Sequence, residues 1–278
     1  MAVTNYELID TSTDVTTTRT LLHESIPLTG TIYSGTYGVF PTGSNIKNYT
    51  HGQFQSVYDY PYLSSSANHI FDVAIGYDEA SALSGGTDVT TQQAKKINMY
   101  NEFSQVLLGY TSSTNQVRKF ELDLTLDETG GTVMKEAVFI NFSRLVTKDQ
   151  IKKGTFSMTI GTASWGVPFT LTKTLTDSAA SETGGTLNTL GGDYGLLYDD
   201  TDDKARGLIF YQAGIAVIST SSFGDLRSFL SYSGPSAPVD QSVTGAFISA
   251  SISSSCDAIR HRIQNISFNN TTEINSTI

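Results

Sequence analysis

Catalytic or metal chemistry in this chain would have to be built from four histidines, one cysteine and a run of aspartates. The histidines are His23, His51, His69 and His261. A nucleophilic mechanism needs a nucleophile, a base and a group that orients the base. No two histidines stand in a His-x-x-x-His spacing, and no Gly-x-Ser-x-Gly elbow marks a nucleophile. Each imidazole reads as a surface group or a satisfied, partly buried one. The phosphate cradles Gly-x-Gly-x-x-Gly and Gly-x-x-x-x-Gly-Lys-Ser/Thr are both missing. The glycine pairs 85–86, 130–131, 184–185 and 191–192 read as turns. Cys256 stands alone, which excludes an intrachain disulfide and a cysteine-based zinc site. Asp199, Asp200, Asp202 and Asp203 offer carboxylate oxygens of the kind Ca²⁺ prefers, but without the EF-hand spacing or its glycine. A solvated loop is the better reading. No catalytic residue, metal site or cofactor is expected.

One row of side chains suggests binding. Tyr58, Tyr60 and Tyr62 alternate, so on a strand they would share one face. Aromatic rings can stack on sugars, but such rows more often pack in a core or at a subunit contact. These three tyrosines are the candidate interaction surface.

The elements that would position these residues are mostly strands. The chain has 278 residues, 38% hydrophobic and only 16% charged. Ser, Thr, Asn and Gly fill the gap and favour strands and turns. Fourteen Tyr and fourteen Phe argue against disorder. The net charge of −10 leaves little for neutralising phosphates, so nucleic acid is an unlikely partner. No apolar run is long enough to span a membrane, and the N-terminus has no signal-peptide pattern.

Residues 1–30 are Thr-rich and read as an extended N-terminal arm, or equally as a plain first strand. Residues 31–278 read as one β-rich domain. Phe71, Val73 and Ile75 recur at a period of two and predict a strand over 70–77. The period then changes. Ile97, Tyr100, Phe103, Leu107 and Leu108 predict a helix over 91–108, capped by Thr90 or Thr91 and followed by Gly109. Phe120, Leu122, Leu124 and Leu126 predict another strand. Residues 135–146 are apolar and fit a buried strand or a buried helix. Thr147 and Gln150 have capping-box spacing and predict one helical turn. Phe156, Met158 and Ile160 alternate, as do Val167, Phe169 and Leu171. Residues 173–206 read as a long surface loop or a hairpin insertion. Residues 208–211 and 215–218 fit a hairpin with a bulge or a single bulged strand. Ile259–Phe268 reads as a last strand, and the text after it looks like a strand cut short. The fold class expected is mainly β, an antiparallel sandwich or barrel-like domain with one packed helix and long surface loops.

Three stretches carry a resemblance. They are 135–160, beginning Lys135-Glu136-Ala137-Val138-Phe139-Ile140-Asn141-Phe142; 207–217, Gly207-Leu208-Ile209-Phe210-Tyr211-Gln212-Ala213-Gly214-Ile215-Ala216-Val217; and 260–278, beginning Arg260-His261-Arg262-Ile263-Gln264-Asn265. With the helix at 91–108, they resemble virion structural proteins of large contractile-tailed phages from marine and cyanobacterial hosts. The resemblance runs from about residue 90 onward and implies a fragment or a C-terminus finished elsewhere. It implies no catalytic residue. It implies a non-enzymatic part of a tail, baseplate or neck, assembled in the host cytoplasm and resident in the virion. Its partners would be its own copies and neighbouring virion proteins. Two alternatives stand beside this: a receptor- or carbohydrate-binding tail module with a glycan receptor, and a capsid or capsid-decorating protein.

Overall fold

A computed structural model describes residues 17–29, 46–128, 133–162, 169–181, 183–223, 229–232, 238–241, 251–260 and 262–277. In chain order the strands are β1 (Thr17–Thr29), β2 (Ile46–Asn48), β3 (Gln55–Tyr58), β4 (His69–Tyr77) and β5 (Glu136–Asn141). They continue as β6 (Gln150–Ile151), β7 (Ser157–Thr162), β8 (Leu171–Thr176), β9 (Thr186–Thr189) and β10 (Gly192–Asp199). The last are β11 (Ala205–Phe210), β12 (Ile215–Ser219), β13 (Phe229–Tyr232), β14 (Pro238–Gln241) and β15 (Ile263–Thr277). Helix α1 is Thr91–Leu107 and α2 is Ile252–Arg260.

Thirteen of these strands form one sheet, ordered β1-β15-β7-β8-β10-β11-β12-β5-β4-β3-β2, with β6 on β15 and β9 on β10. A separate hairpin joins β13 to β14. The fold is therefore mainly β and antiparallel. The sheet is not closed into a barrel: closure needs the two terminal strands to pair, and among the described residues β1 and β2 do not. The sheet stays open.

The N-terminal strand and the C-terminal one are the two longest. Thr17 pairs with Thr277 and Thr29 with Asn265, an unbroken antiparallel ribbon. The 16 residues before Thr17 lie outside the described residues, as does Val167, the first residue of the alternation Val167, Phe169 and Leu171.

The ambiguous stretch 135–146 resolves into β5 followed by a 3₁₀ turn at Ser143–Leu145. β5 is buried because it lies between β4 and β12 with both faces covered. The helical turn predicted from Thr147 and Gln150 is absent: Gln150 instead starts β6, where Thr271 of β15 is its ladder partner. The polar stretch 173–206 is not one loop. It supplies most of β8, the β9–β10 hairpin and the start of β11. The 208–218 text is a hairpin, β11 to β12, closed by Gly214 at φ +65° with its N–H on the Phe210 carbonyl at 2.9 Å.

One predicted strand fails for local reasons, and another starts later than expected. Residues 120–126 form no strand beyond a single bridge of Glu121 to Val133. The Asp123 carboxylate accepts the Thr125 backbone N–H at 2.9 Å and its hydroxyl at 2.8 Å. The Tyr194 hydroxyl lies 3.2 Å from the carbonyls of both Asp123 and Thr125. Side chains have thus taken backbone groups a ladder would use. Ile259 belongs to α2, so the last strand begins four residues later, at Ile263.

Helix α1 lies on the sheet and forms as its text predicts. Thr90 is the N-cap and makes a full capping box with Gln93. Gly109 follows at φ +83°, donating to the Ser104 carbonyl at 3.0 Å. The helix comes closest to the sheet at Gly76 in β4, where a Cβ would lie 2.6 Å from the Tyr100 backbone nitrogen. That contact explains why a glycine interrupts an otherwise apolar strand. The Tyr100 hydroxyl donates to the Met134 carbonyl at 2.8 Å and accepts the Phe120 N–H at 3.1 Å, pinning the helix to the segment beside it.

Candidate functional site

β3 and β4 bring Ser56, Asp72 and His69 together, the residue types of a hydrolytic triad. Ser56 and Asp72 are direct ladder partners. The Ser56 hydroxyl donates to Asp72 Oδ1 at 2.5 Å, and His69 Nε2 meets the same oxygen at 2.6 Å. The order is wrong for catalysis. A histidine must stand between serine and aspartate to take the hydroxyl proton, whereas here the aspartate stands between the other two. Ser56 is 1% exposed, so its oxygen does not reach solvent. The Tyr49 hydroxyl, 3.1 Å from Ser56 Oγ, extends the cluster. Its effect is to fix the Asp72 carboxylate.

Asp72 in turn stands at the end of a groove of about 340 Å³ between α1 and the sheet. The floor is set by register. Asp72, Asn141 and Ile215 are cross-strand neighbours on β4, β5 and β12. Ala74 and Phe139 form the next rung on the same face. One wall is α1, through Met99, Phe103 and Val106 at helical spacing, with Glu102 beside them. Phe103 stacks flat on Phe139, with centroids 4.1 Å apart and 6° between planes. The opposite wall is the turn at Gln53 and Phe54, where Phe54 packs on the rings of Tyr49 and His51. The groove is thus apolar along its length, with carboxylates at Asp72 and Glu102.

The candidate tyrosines sit just outside this groove and do not share a strand face. Only Tyr58 is in β3; Tyr60 and Tyr62 lie in the turn that follows, because Pro61 cannot continue a ladder. Asp59 and Asn68 clamp the base of that turn: the Asn68 N–H donates to Asp59 Oδ1 at 2.6 Å and its amide to Oδ2 at 2.8 Å. Tyr60 is 56% exposed and Tyr62 37%. Tyr58 packs edge-on against His69 at 5.4 Å and tilted against Tyr62 at 6.2 Å. Burial, then the neighbouring Tyr49, raises the Tyr58 phenol above its ordinary range.

The other chemical candidates are spent on structure. Asp199 receives the Lys173 ammonium and both donors of Thr201. Burial works to raise its carboxyl, but those hydrogen bonds prevail and hold it below the usual range. Asp202 takes Arg206 Nη2 at 2.6 Å, and Asp200 takes the Thr174 N–H at 2.8 Å. The run closes the β10–β11 turn. Among the described residues no group of three His, Cys, Asp or Glu could hold a metal ion. Cys256 is buried, its thiol on the Val73 carbonyl at 3.1 Å. Lys96 is fully buried against the sheet, and burial pushes its ammonium down to about 8, but no substrate could reach it. His51 accepts the Gln53 N–H at 3.1 Å; His23 falls in β1 and His261 outside the described residues. No described helix is long and apolar enough to cross a membrane.

Sequence reasoning did not single out Asp72 or the groove. Asp72 lies in the predicted strand, between the Phe71 and Val73 whose period of two defined it. A carboxylate on β4 and glutamate and valine on α1 carry no motif. Only the register that places β4, β5 and β12 side by side makes them one site. Neither a protein-family model, nor a curated protein, nor a solved structure matches the chain.

Proposed function

We propose that the chain is a non-enzymatic structural component of a phage virion, of the tail, baseplate or neck, working through contacts with its own copies and with neighbouring virion proteins. The observation that supports this most directly is the edge of the large sheet. β1 ends the strand order, and no described strand pairs with its far side. Apart from Pro27, which has no N–H, a strand of 13 residues there offers a row of backbone donors and acceptors. Such an edge templates strand addition, and symmetric assemblies use self-complementary surfaces of this kind as joints. The resemblance of 135–160, 207–217 and 260–278 to virion structural proteins points the same way. On this reading the protein is assembled in the host cytoplasm and resides in the virion.

The test is the solution mass of the chain by light scattering over a range of concentrations. A closed ring of several copies supports the reading. A monomer at every concentration that binds host surface glycan through Tyr60 and Tyr62 replaces it with the receptor-binding alternative, which the exposure of those two rings favours. Antibody labelling of intact particles separates tail, baseplate and neck from a capsid or capsid-decorating position.

A further inference from the structure

The groove beneath α1 has a composition that selects its occupant. Its floor and walls are apolar, through Ala74, Phe139, Met99 and Val106, yet carboxylates stand at Asp72 and Glu102. The Ser56 hydroxyl and His69 Nε2 both meet Oδ1 of Asp72, which leaves Oδ2 without a hydrogen bond among the described residues. Phe103 and Phe54 also line the groove, and the π-face of an aromatic ring attracts cations and not anions. Lys95 on the same helix does not fill this role, since its ammonium is held by the His51 carbonyl at 3.1 Å.

We propose that this groove seats a lysine or arginine side chain, flanked by an apolar residue, from a neighbouring protein in the assembly. The proposal rests on reading the chain as an assembly component. A long basic side chain lays its methylene stem on apolar surface and presents its charge at the polar end, which is the arrangement this groove offers. A volume of about 340 Å³ is at the small end for a ligand site and suits one or two side chains of an extended segment. Val106, 68% exposed at the lip, supplies the apolar contact for the flanking residue.

The test uses the full chain with labelled methyl groups at Met99, Ala74, Val106 and Ile215, observed by NMR. The probes are acetyl-Val-Lys-Val-amide, acetyl-Val-Gln-Val-amide and hexylammonium. The lysyl peptide is expected to shift these methyls and to bind about tenfold more tightly than the glutaminyl one. Glu102→Gln, on the exposed side of the helix, is expected to weaken the lysyl peptide about fivefold without changing the melting temperature. Asp72→Asn is expected to weaken it further, and Glu102→Gln carries the test alone if that variant does not fold. Equal binding of the two peptides, shifts confined to other methyls, or no shift with either overturns the proposal. Hexylammonium binding more tightly than the lysyl peptide also overturns it, and assigns the groove to a free amine. Light scattering reads self-assembly separately, so a monomer that binds the lysyl peptide counts against the proposed function and not against the groove.

Discussion

The Asp177 carboxylate holds three chain segments together, and replacing it tests how the sheet is stabilised. It is 1% exposed. Oδ2 accepts the Gly154 N–H at 2.7 Å and the Tyr211 hydroxyl at 3.0 Å, and Oδ1 accepts the Phe156 N–H at 2.9 Å. These donors come from the entry to β7 and the end of β11, while Asp177 itself follows β8. Burial raises its carboxyl above the usual range, against the pull of these hydrogen bonds. Asp177→Asn keeps the shape but replaces one acceptor with a donor. The Tyr211 hydroxyl can turn to accept, whereas a backbone N–H cannot, so one buried N–H faces another donor. That costs about 1–3 kcal/mol, partly offset because a buried charge is removed. Asp177→Ala leaves all three donors unpaired and opens a gap, for about 3–5 kcal/mol. Tyr211→Phe loses one hydrogen bond, about 1 kcal/mol. Urea unfolding followed by circular dichroism reads all three. In the Asp177→Ala background, Tyr211→Phe should cost almost nothing more. If Asp177→Ala lies within about 0.5 kcal/mol of the parent, or Tyr211→Phe costs as much as Asp177→Ala, the carboxylate does not hold these segments.

Three further outcomes follow from single contacts. Glu121 is 3% exposed with Oε1 unpartnered, and burial, then Asp123, Asp127 and Glu128, raise its carboxyl from 4.5 to about 7. A folded value above the ordinary one means stability is fully present below pH 4.5 and lost as pH rises through 7. Glu121→Gln should therefore match the parent in acid and exceed it by roughly 1–2 kcal/mol in alkali; thermal melts across pH showing a constant difference would refute this. Gly76→Ala places a methyl against the α1 backbone at 2.6 Å and 2.8 Å, which cannot yield without moving the helix; a loss of about 1–3 kcal/mol in urea unfolding is expected. Thr90→Ala removes the capping-box acceptor for the Gln93 N–H and should cost about 1 kcal/mol, read as a lower melting temperature.

What was legible in the sequence was what local chemistry decides. The α1 cap, the Gly109 stop and the β11–β12 hairpin are written in residue types whose conformational preferences act within a few positions. The face α1 buries was legible only in part. Periodicity pointed to Ile97, Tyr100, Phe103, Leu107 and Leu108, of which Tyr100, Leu107 and Leu108 are buried; the helix residues buried are Gln93, Lys96, Met99, Tyr100, Ser104 and Leu107. Half of that face is polar. Gln93 donates to the Leu83 carbonyl and Ser104 to that of Arg118, so hydrogen bonds, not hydrophobicity, admit them. Helix α2 was missed for a related reason. Ile252, Cys256 and Ile259 are buried at helical spacing, but serines between them are weak helix formers and mask the signal.

The same principle explains why an alternating text at 120–126 gave no strand while polar text at 173–206 gave several. Alternation specifies a strand only when a ladder is available to it. Residues 120–126 are held by the Asp123 side chain and the Tyr194 hydroxyl, which satisfy the backbone without a neighbour. Residues 186–199 carry three glycines, two threonines and an asparagine, yet β9 pairs with β10 across a turn of two residues, so ladder hydrogen bonds close locally. Non-local pairing then decides the groove. Asp72, Asn141 and Ile215 lie far apart in the chain and meet only because β4, β5 and β12 are adjacent. A site made by strand order, with no residue motif of its own, accepts substitutions along each strand as long as the rung keeps its mix of acid, amide and aliphatic. On the proposal that this groove seats a basic side chain, the perturbations that test it are changes of charge at fixed shape, as with Glu102→Gln.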